Sequence, residues 1–164
     1  MEQLIPVVGT TVLLGSALVG GIFYAFSSFV MKALAAVPPA EGIGAMQSIN
    51  VAVINPWFLG VFMGTAVLSL GAGGLALAGW GRASAPFFLG GALFYFVGTF
   101  LVTMLRNVPL NDQLAAVSAT DPAAIDVWEH YLDRWTTWNH VRTGAAIVAA
   151  LLFSLGLMQN GSGV

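Results

Sequence analysis

The sequence contains no cysteine, and this absence excludes several kinds of chemistry. A chain without thiols forms no disulfide, no iron–sulfur cluster and no thiolate metal site, and it has no cysteine nucleophile. Any metal ion bound by this chain would therefore need nitrogen and oxygen ligands.

Charged residues are also scarce. They make up 7% of the chain, against about 25% in soluble proteins, whereas 58% of the residues are hydrophobic. This composition predicts an integral membrane protein whose main partner is the lipid bilayer. The net charge of −2 predicts no basic surface, so we expect binding of neither nucleic acid nor anionic lipid.

Four apolar stretches are long enough to cross a bilayer, which takes about 20 apolar residues. They cover residues 4–31, 56–80, 86–105 and 141–158, and they predict one membrane domain over residues 1–164 with both termini on one side. Ala33 and Ala35 resemble a signal-peptide cleavage site, but the first stretch is much longer than the roughly 7–15 residues of a signal core. We therefore expect it to remain as a span.

The connections between these spans have unequal lengths. Residues 80–86 form a tight turn, whereas residues 32–55 and 106–139 are long and lie together on the opposite face. Each long connection has apolar residues at helical spacing, namely Ile43, Met46, Ile49 and Val53 in the first and Ile125, Trp128, Leu132 and Trp135 in the second. The predicted fold is an all-α, four-helix transmembrane bundle with short interfacial helices in the two long connections.

Small residues recur four positions apart in three places, a spacing that is common where membrane helices approach closely. The pairs are Ser16 and Gly20, Gly60 and Gly64, and Ser69 and Gly73. They predict close packing either inside one bundle or between the subunits of a homo-oligomer.

Positive charges predict the orientation in the membrane. Lys32, Arg106, Arg134 and Arg142 lie on the long-connection face and Arg82 on the other, which puts the long-connection face in the cytoplasm. If the arginines on that face belong to a ligand site, they no longer count as orientation signals. Lys32 then stands against Arg82, and the positive charges predict no orientation.

Arg142 is the most informative polar residue. In the predicted fourth span it occupies the first helical turn, where the helix dipole disfavours a cation. The charge of Arg142 can be compensated by the carboxylate of Asp133 or Glu129, by a ligand anion or by a substrate oxygen.

Arg106 closes the third span, where the helix dipole favours a cation and the side chain can extend to water. The alternative is that Arg106 belongs to a ligand site.

The two histidines have different surroundings. His140 lies two residues before Arg142, where a neutral imidazole can act as a general base or as a hydrogen-bonded helix cap. His130 lies one turn from Asp126 and from Arg134, which predicts a solvated charge cluster. The histidines match no compact metal motif and neither lies in the middle of a span, so we expect neither a metal nor haem, with a metal at His130 or His140 as the alternative.

Asparagines and tryptophans lie at the ends of the predicted spans. The asparagines can cap helices or bind a ligand, and the tryptophans fit an aromatic belt or the wall of a ligand site. The candidate substrate-binding residues are Asn55, Asn107, Asn111, Asn139, Trp57, Trp135 and Trp138.

Two stretches together resemble a known family. Residues 106–111 read RNVPLN and leave the third span, and residues 135–144 read WTTWNHVRTG and enter the fourth. A four-span chain with these stretches resembles the DUF1772, or anthrone oxygenase-like, membrane proteins. The resemblance implies an oxygenase that oxidises a small lipophilic aromatic compound, such as an anthrone, with O2 and without an organic cofactor. The matching positions are Arg106, Asn107, Asn111, Trp135, Asn139, His140 and Arg142.

The implied chemistry uses one base and one cation. His140 removes a proton from an acidic carbon, while Arg142 or Arg106 holds the enolate oxygen. The electron-rich enolate then reacts with O2, and Trp57, Trp135 and Trp138 offer stacking surface for a planar ring. The rival interpretation is a non-catalytic membrane module that binds a lipid or hydrophobic ligand, or a subunit of a membrane assembly. An oxygenase requires His140 and an arginine to converge in a closed pocket.

Overall fold

The computed structural model describes residues 4–79 and 81–161, which form five helices and no strand. We label them α1 (Leu4–Ala36), α2 (Pro39–Ala52), α3 (Pro56–Ala78), α4 (Ala85–Ala115) and α5 (Ala124–Gly161). All except α2 are long and apolar enough to cross a bilayer. The predicted fold class is confirmed, and the chain is a multi-pass integral membrane protein. The predicted end of the second span at Trp80 lies outside the described residues.

Two helices extend much further than the predicted spans. The sequence pattern ended the third span at residue 105, but α4 continues through Pro109 to Ala115. Proline cannot donate a backbone hydrogen bond, and a π-helical turn at Thr103–Asn107 lies just before it, so the helix widens instead of ending. The predicted fourth span began at residue 141, but α5 begins at Ala124. The predicted interfacial helix of the second connection is therefore continuous with the fourth span.

The long helices pack in chain order around the bundle, and α5 closes the ring against α1. Successive helices are antiparallel, and small residues let them approach closely. A Cβ at Gly20 would lie 3.3 Å from Ala146, and one at Gly73 would lie 3.2 Å from Ala92. Two of the predicted small-residue pairs thus pack inside one bundle, whereas a Cβ at Gly60 or Gly64 would meet no atom of the described residues within 4 Å.

The short helix α2 covers one end of the bundle, as its apolar spacing predicted. Ile43 and Met46 are buried against residues from α4 and α5. The amide of Gln47 donates hydrogen bonds to the carbonyls of Leu114 at 2.8 Å and Val117 at 2.9 Å. These contacts fix α2 over the space between the long helices.

Helices α3 and α4 diverge toward α2. They pack closely from the tight turn at Arg82 up to the middle of α4, over residues Ala85–Leu101. Beyond that point the start of α3 and the end of α4 form opposite walls of a cavity. The divergence therefore opens a space inside the bundle at the end that α2 covers.

A candidate ligand site around Arg142

The cavity has a volume of about 420 Å³ and is lined by residues of all five helices. Most of its wall is apolar, with Phe23, Phe62 and Met46 among the lining residues. Its ionisable lining residues are Arg142 and Asp112. An apolar space of a few hundred cubic ångströms with few polar groups is typical of sites for small organic ligands.

Arg142 lies in the middle of α5 and is only 5% exposed. The prediction that it occupies the first turn of a helix was wrong, because α5 begins far upstream at Ala124. The position of Arg142 is unusual for another reason, which is that its charge lies inside the membrane bundle. A cation inside a membrane bundle is costly, and such residues usually mark a functional site.

The surroundings of Arg142 leave part of its charge uncompensated. Its Nε donates to Asn139 Oδ1 at 2.9 Å and its Nη1 to Thr103 Oγ1 at 3.4 Å. The guanidinium carbon lies 3.9 Å from the ring centroid of Phe23 and 4.7 Å from that of Trp135. A guanidinium has five N–H donors, so three of them have no acceptor among the described residues. We infer that these donors are available to a ligand in the cavity.

The predicted carboxylate partners do not neutralise Arg142. Within residues 4–79 and 81–161, the single ion pair joins Asp133 to Arg134 at 3.7 Å, and both side chains are exposed. Glu129 is exposed as well. Of the three kinds of compensation considered from the sequence, the geometry therefore favours a ligand anion or a substrate oxygen.

Asn139 positions the guanidinium. This residue is fully buried, and its Nδ2 donates to the carbonyl of Phe23 at 2.8 Å and to Ser27 Oγ at 2.7 Å. Its Oδ1 is thereby directed at Arg142. A π-helical turn at Phe26–Val30 in α1 lies beside these contacts, and such turns are frequent at functional sites.

A ladder of aromatic rings runs along α5, and its last ring, that of Trp135, lines the cavity. Trp128, Tyr131 and Trp135 stack with centroid separations of 5.7 and 5.8 Å. Asn111 on α4 accepts hydrogen bonds from the Tyr131 hydroxyl and the Trp135 indole, both at 2.8 Å. Asn107 on the same helix donates to the carbonyl of Trp135 at 3.1 Å. These amides hold the flat ring of Trp135 against the cavity.

Other predicted site residues lie elsewhere. Asn55 caps α3, with its Oδ1 accepting from the backbone N–H groups of Trp57 at 3.1 Å and Phe58 at 3.0 Å. Trp57 is 87% exposed and is not a wall of the cavity. Trp138 packs under the guanidinium of Arg106 at 4.9 Å, in a groove outside the cavity.

His140 and Arg106 do not converge with Arg142. Two positions along an α-helix turn the side chain by about 200°, and His140 is exposed whereas Arg142 is buried. Arg106 is exposed and does not line the cavity. The expectation of one site containing all three residues was therefore wrong, and an oxygenase reaction at Arg142 needs a base other than His140. The structure instead brings together Asn107, Asn111, Trp135, Asn139 and Arg142.

Sequence reasoning missed several members of the site, including Phe23, Thr103, Asp112 and Tyr131. One signal was available for the α5 wall. Tyr131, Trp135, Asn139 and Arg142 follow each other at intervals of three or four residues, which places them on one face of a continuous helix. That stripe was hidden because residues 106–139 were interpreted as a connection.

We infer that the cavity opens sideways between α3 and α4, because lining side chains of both helices are exposed. The side chains at this opening are apolar, among them Leu59, Met63 and Met104, and Met104 is 43% exposed. An opening lined by exposed apolar side chains on a membrane-spanning helix pair faces hydrocarbon, because water would leave those side chains poorly solvated. We infer that this opening is a route from the bilayer to Arg142.

Metal ligands are sparse in the described part of the chain. Over residues 4–79 and 81–161, no group of three or more histidine, aspartate and glutamate side chains is close enough to hold a metal ion. His130 is exposed on α5 in the same outer groove as Arg106 and Trp138.

Comparison with known proteins identifies the family. The family model described as anthrone oxygenase matches residues 57–152, which is more than half of the chain. The matched region contains Thr103, Asn111, Asn139 and Arg142, the residues gathered around the cavity. No curated protein and no solved structure matches the chain. The chain belongs to the anthrone oxygenase family, also known as DUF1772.

Proposed function

We propose that this protein is a membrane oxygenase that oxidises a small, lipophilic, phenol- or anthrone-like compound with O2. The observation that carries the proposal is a buried arginine that faces an apolar cavity and has no carboxylate partner among the described residues. Such a cation suits an oxygen that becomes negatively charged during a reaction, because the low-dielectric surroundings strengthen its attraction. The family match supports the same reaction class.

The proposed reaction is balanced by the substrate and O2. A base removes one proton from an acidic CH2 group, and the resulting enolate oxygen binds to Arg142. The enolate carbon then reduces O2 and bonds to one of its oxygen atoms. Loss of the second C–H proton with cleavage of the O–O bond gives a carbonyl group and one molecule of water. The carbon is oxidised by four electrons, and O2 accepts all four.

Asp112 is our candidate for the base. Its side chain is exposed, but it is the carboxylate among the lining residues of the cavity, whereas His140 is exposed and does not line the cavity. Asp112 on α4 and Arg142 on α5 both line the cavity. We place a planar multi-ring ligand between these two groups, with its oxygen toward Arg142 and its acidic carbon toward Asp112.

We further propose that the reaction needs no metal or organic cofactor, since an electron-rich enolate itself supplies the electrons for O2. The test is O2 uptake by the purified protein in detergent with a panel of anthrones and lipophilic phenols, with and without prior chelation. We expect uptake of one O2 per carbonyl formed, unchanged by chelation. Loss of uptake after chelation, restored by a metal, would refute the cofactor-independent mechanism. A parent protein that binds the panel compounds without consuming O2 would favour the non-catalytic module.

A second prediction tests entry of the substrate from the bilayer. The chain has no native cysteine, so Met104→Cys places a single thiol at the sideways opening. Modification of this thiol with a bulky apolar maleimide is expected to lower kcat/KM several-fold, because the attached group obstructs the route to the cavity. Val67→Cys is the matched control, since Val67 is 67% exposed on the lipid-facing side of α3 and does not line the cavity. Unchanged kcat/KM after complete modification at position 104 would contradict entry between α3 and α4.

A further inference from the structure

A second concave site lies on a different face of α4 and α5. This outer groove has a volume of about 320 Å³, and its lining residues include Leu105, Arg106, His130, Arg134 and Trp138. None of the residues around Arg142 belongs to it. The groove is therefore separate from the proposed oxygenase site.

The outer groove concentrates positive charge in a chain that has little. The whole sequence has five lysine and arginine residues, and Arg106 and Arg134 both line this groove together with His130. Its lining contains no aspartate or glutamate. Asp133 contacts Arg134 at 3.7 Å, but both side chains are more than half exposed, so this pair neutralises little of the charge. The net charge of the chain concealed this local basic surface.

The kinds of side chain that line the groove differ between its two ends along the bundle axis. Leu105 and Trp138 lie at the end nearer the middle of the spans, whereas Gln113 and His130 lie at the end nearer the connections. The eight positions from Leu105 to Gln113 correspond to about 12 Å of helical rise. Arg106 lies beside Leu105 and over the ring of Trp138, and Arg134 lies one helical turn from Trp138 toward the connections. Apolar side chains at the inner end with two arginines beside them match an amphiphile with an anionic head.

We propose that the outer groove binds an anionic glycerophospholipid. Its phosphate lies between the guanidinium groups of Arg106 and Arg134, and an acyl chain follows Leu105 and the ring of Trp138. Arginine suits this role because its planar donors match phosphate oxygens. Arg106 is available for it, because its one contact with a ring, to Trp138 at 4.9 Å, leaves its donors free of carboxylates within residues 4–79 and 81–161.

The test measures binding of fluorescent phosphatidylglycerol and phosphatidylcholine to the full chain in neutral detergent. We compare the parent protein with the double variant Arg106→Gln, Arg134→Gln. Each arginine near an anionic lipid contributes about a fivefold gain in affinity, so the double variant is expected to bind phosphatidylglycerol about 30-fold more weakly. Binding of phosphatidylcholine is expected to be weak and unchanged.

The matched control is Arg82→Gln, which removes an exposed arginine from the tight turn at the other end of the bundle. It is expected to bind phosphatidylglycerol like the parent. Equal loss of binding in this control, or equal affinity of the parent for the two lipids, would overturn the proposal. Binding of glycerol 3-phosphate, a water-soluble ligand with the same phosphate ester, is measured in the same way. If it binds as tightly as phosphatidylglycerol, the groove is a site for a free phosphate ester and not for a lipid. Turnover in detergent should be unchanged in the double variant, so this test is independent of the oxygenase proposal.

Discussion

Replacement of Arg142 by glutamine is expected to lower kcat/KM by about 10²- to 10³-fold, the usual effect of losing a donor that stabilises a developing oxyanion. Glutamine keeps a polar group near Asn139 but carries no charge for the enolate oxygen. Binding of the substrate should weaken as well, because the cation also attracts the ground-state oxygen. Steady-state O2 uptake with a substrate from the panel measures both effects.

The stability of an Arg142 variant separates a catalytic role from a structural one. Arg142→Met keeps apolar contact with Phe23 and Trp135 and removes a buried cation that has no carboxylate partner within residues 4–79 and 81–161. Relief of desolvation is worth several kcal/mol, whereas Asn139 loses one hydrogen bond at a cost of about 1–3 kcal/mol. We therefore expect the melting temperature in detergent to be equal to or above that of the parent, with turnover abolished. A folded variant with a much lower melting temperature and normal turnover would identify Arg142 as structural. Arg134→Gln is the exposed control, and we expect it to change neither property.

Asp112→Asn is expected to lower kcat by about 10²- to 10⁴-fold, the typical contribution of a general base. Asparagine has nearly the same shape, so the cavity and its affinity for the ligand should remain almost unchanged. The loss should therefore appear in kcat and not in the dissociation constant. Substrate binding and O2 uptake on the same preparation measure the two quantities.

His140→Gln is the matched comparison, because the sequence pointed to His140 as the base whereas the structure places it outside the cavity. We expect its turnover to equal that of the parent. A loss of several hundredfold in a folded His140→Gln protein, with Asp112→Asn fully active, would restore the original assignment. Normal turnover in both variants would exclude either residue as the base.

The sequence alone determined the architecture, because crossing a bilayer requires long apolar segments and their presence can be read directly from the chain. It also indicated Arg142, since a cation beside an apolar run is costly wherever it lies. That cost was first attributed to the helix dipole in the first turn of a helix, which was wrong because Arg142 lies in the middle of α5. Pro109 and the polar residues of 106–139 suggested a connection, whereas a widened turn at Thr103–Asn107 lets α4 continue and α5 begins early at Ala124.

Only the tertiary structure decided which polar residues share a site. His140 and Arg142 are close in sequence, but the helix directs one outward and the other into the cavity. Asn111, which the sequence predicted, and Asp112, which it did not, both line the cavity because α4 remains helical and faces the space beneath α2. That space exists because α3 and α4 diverge after packing closely near Arg82. Helical phase and the divergence of two helices depend on contacts between distant segments, and no local sequence pattern encodes those contacts.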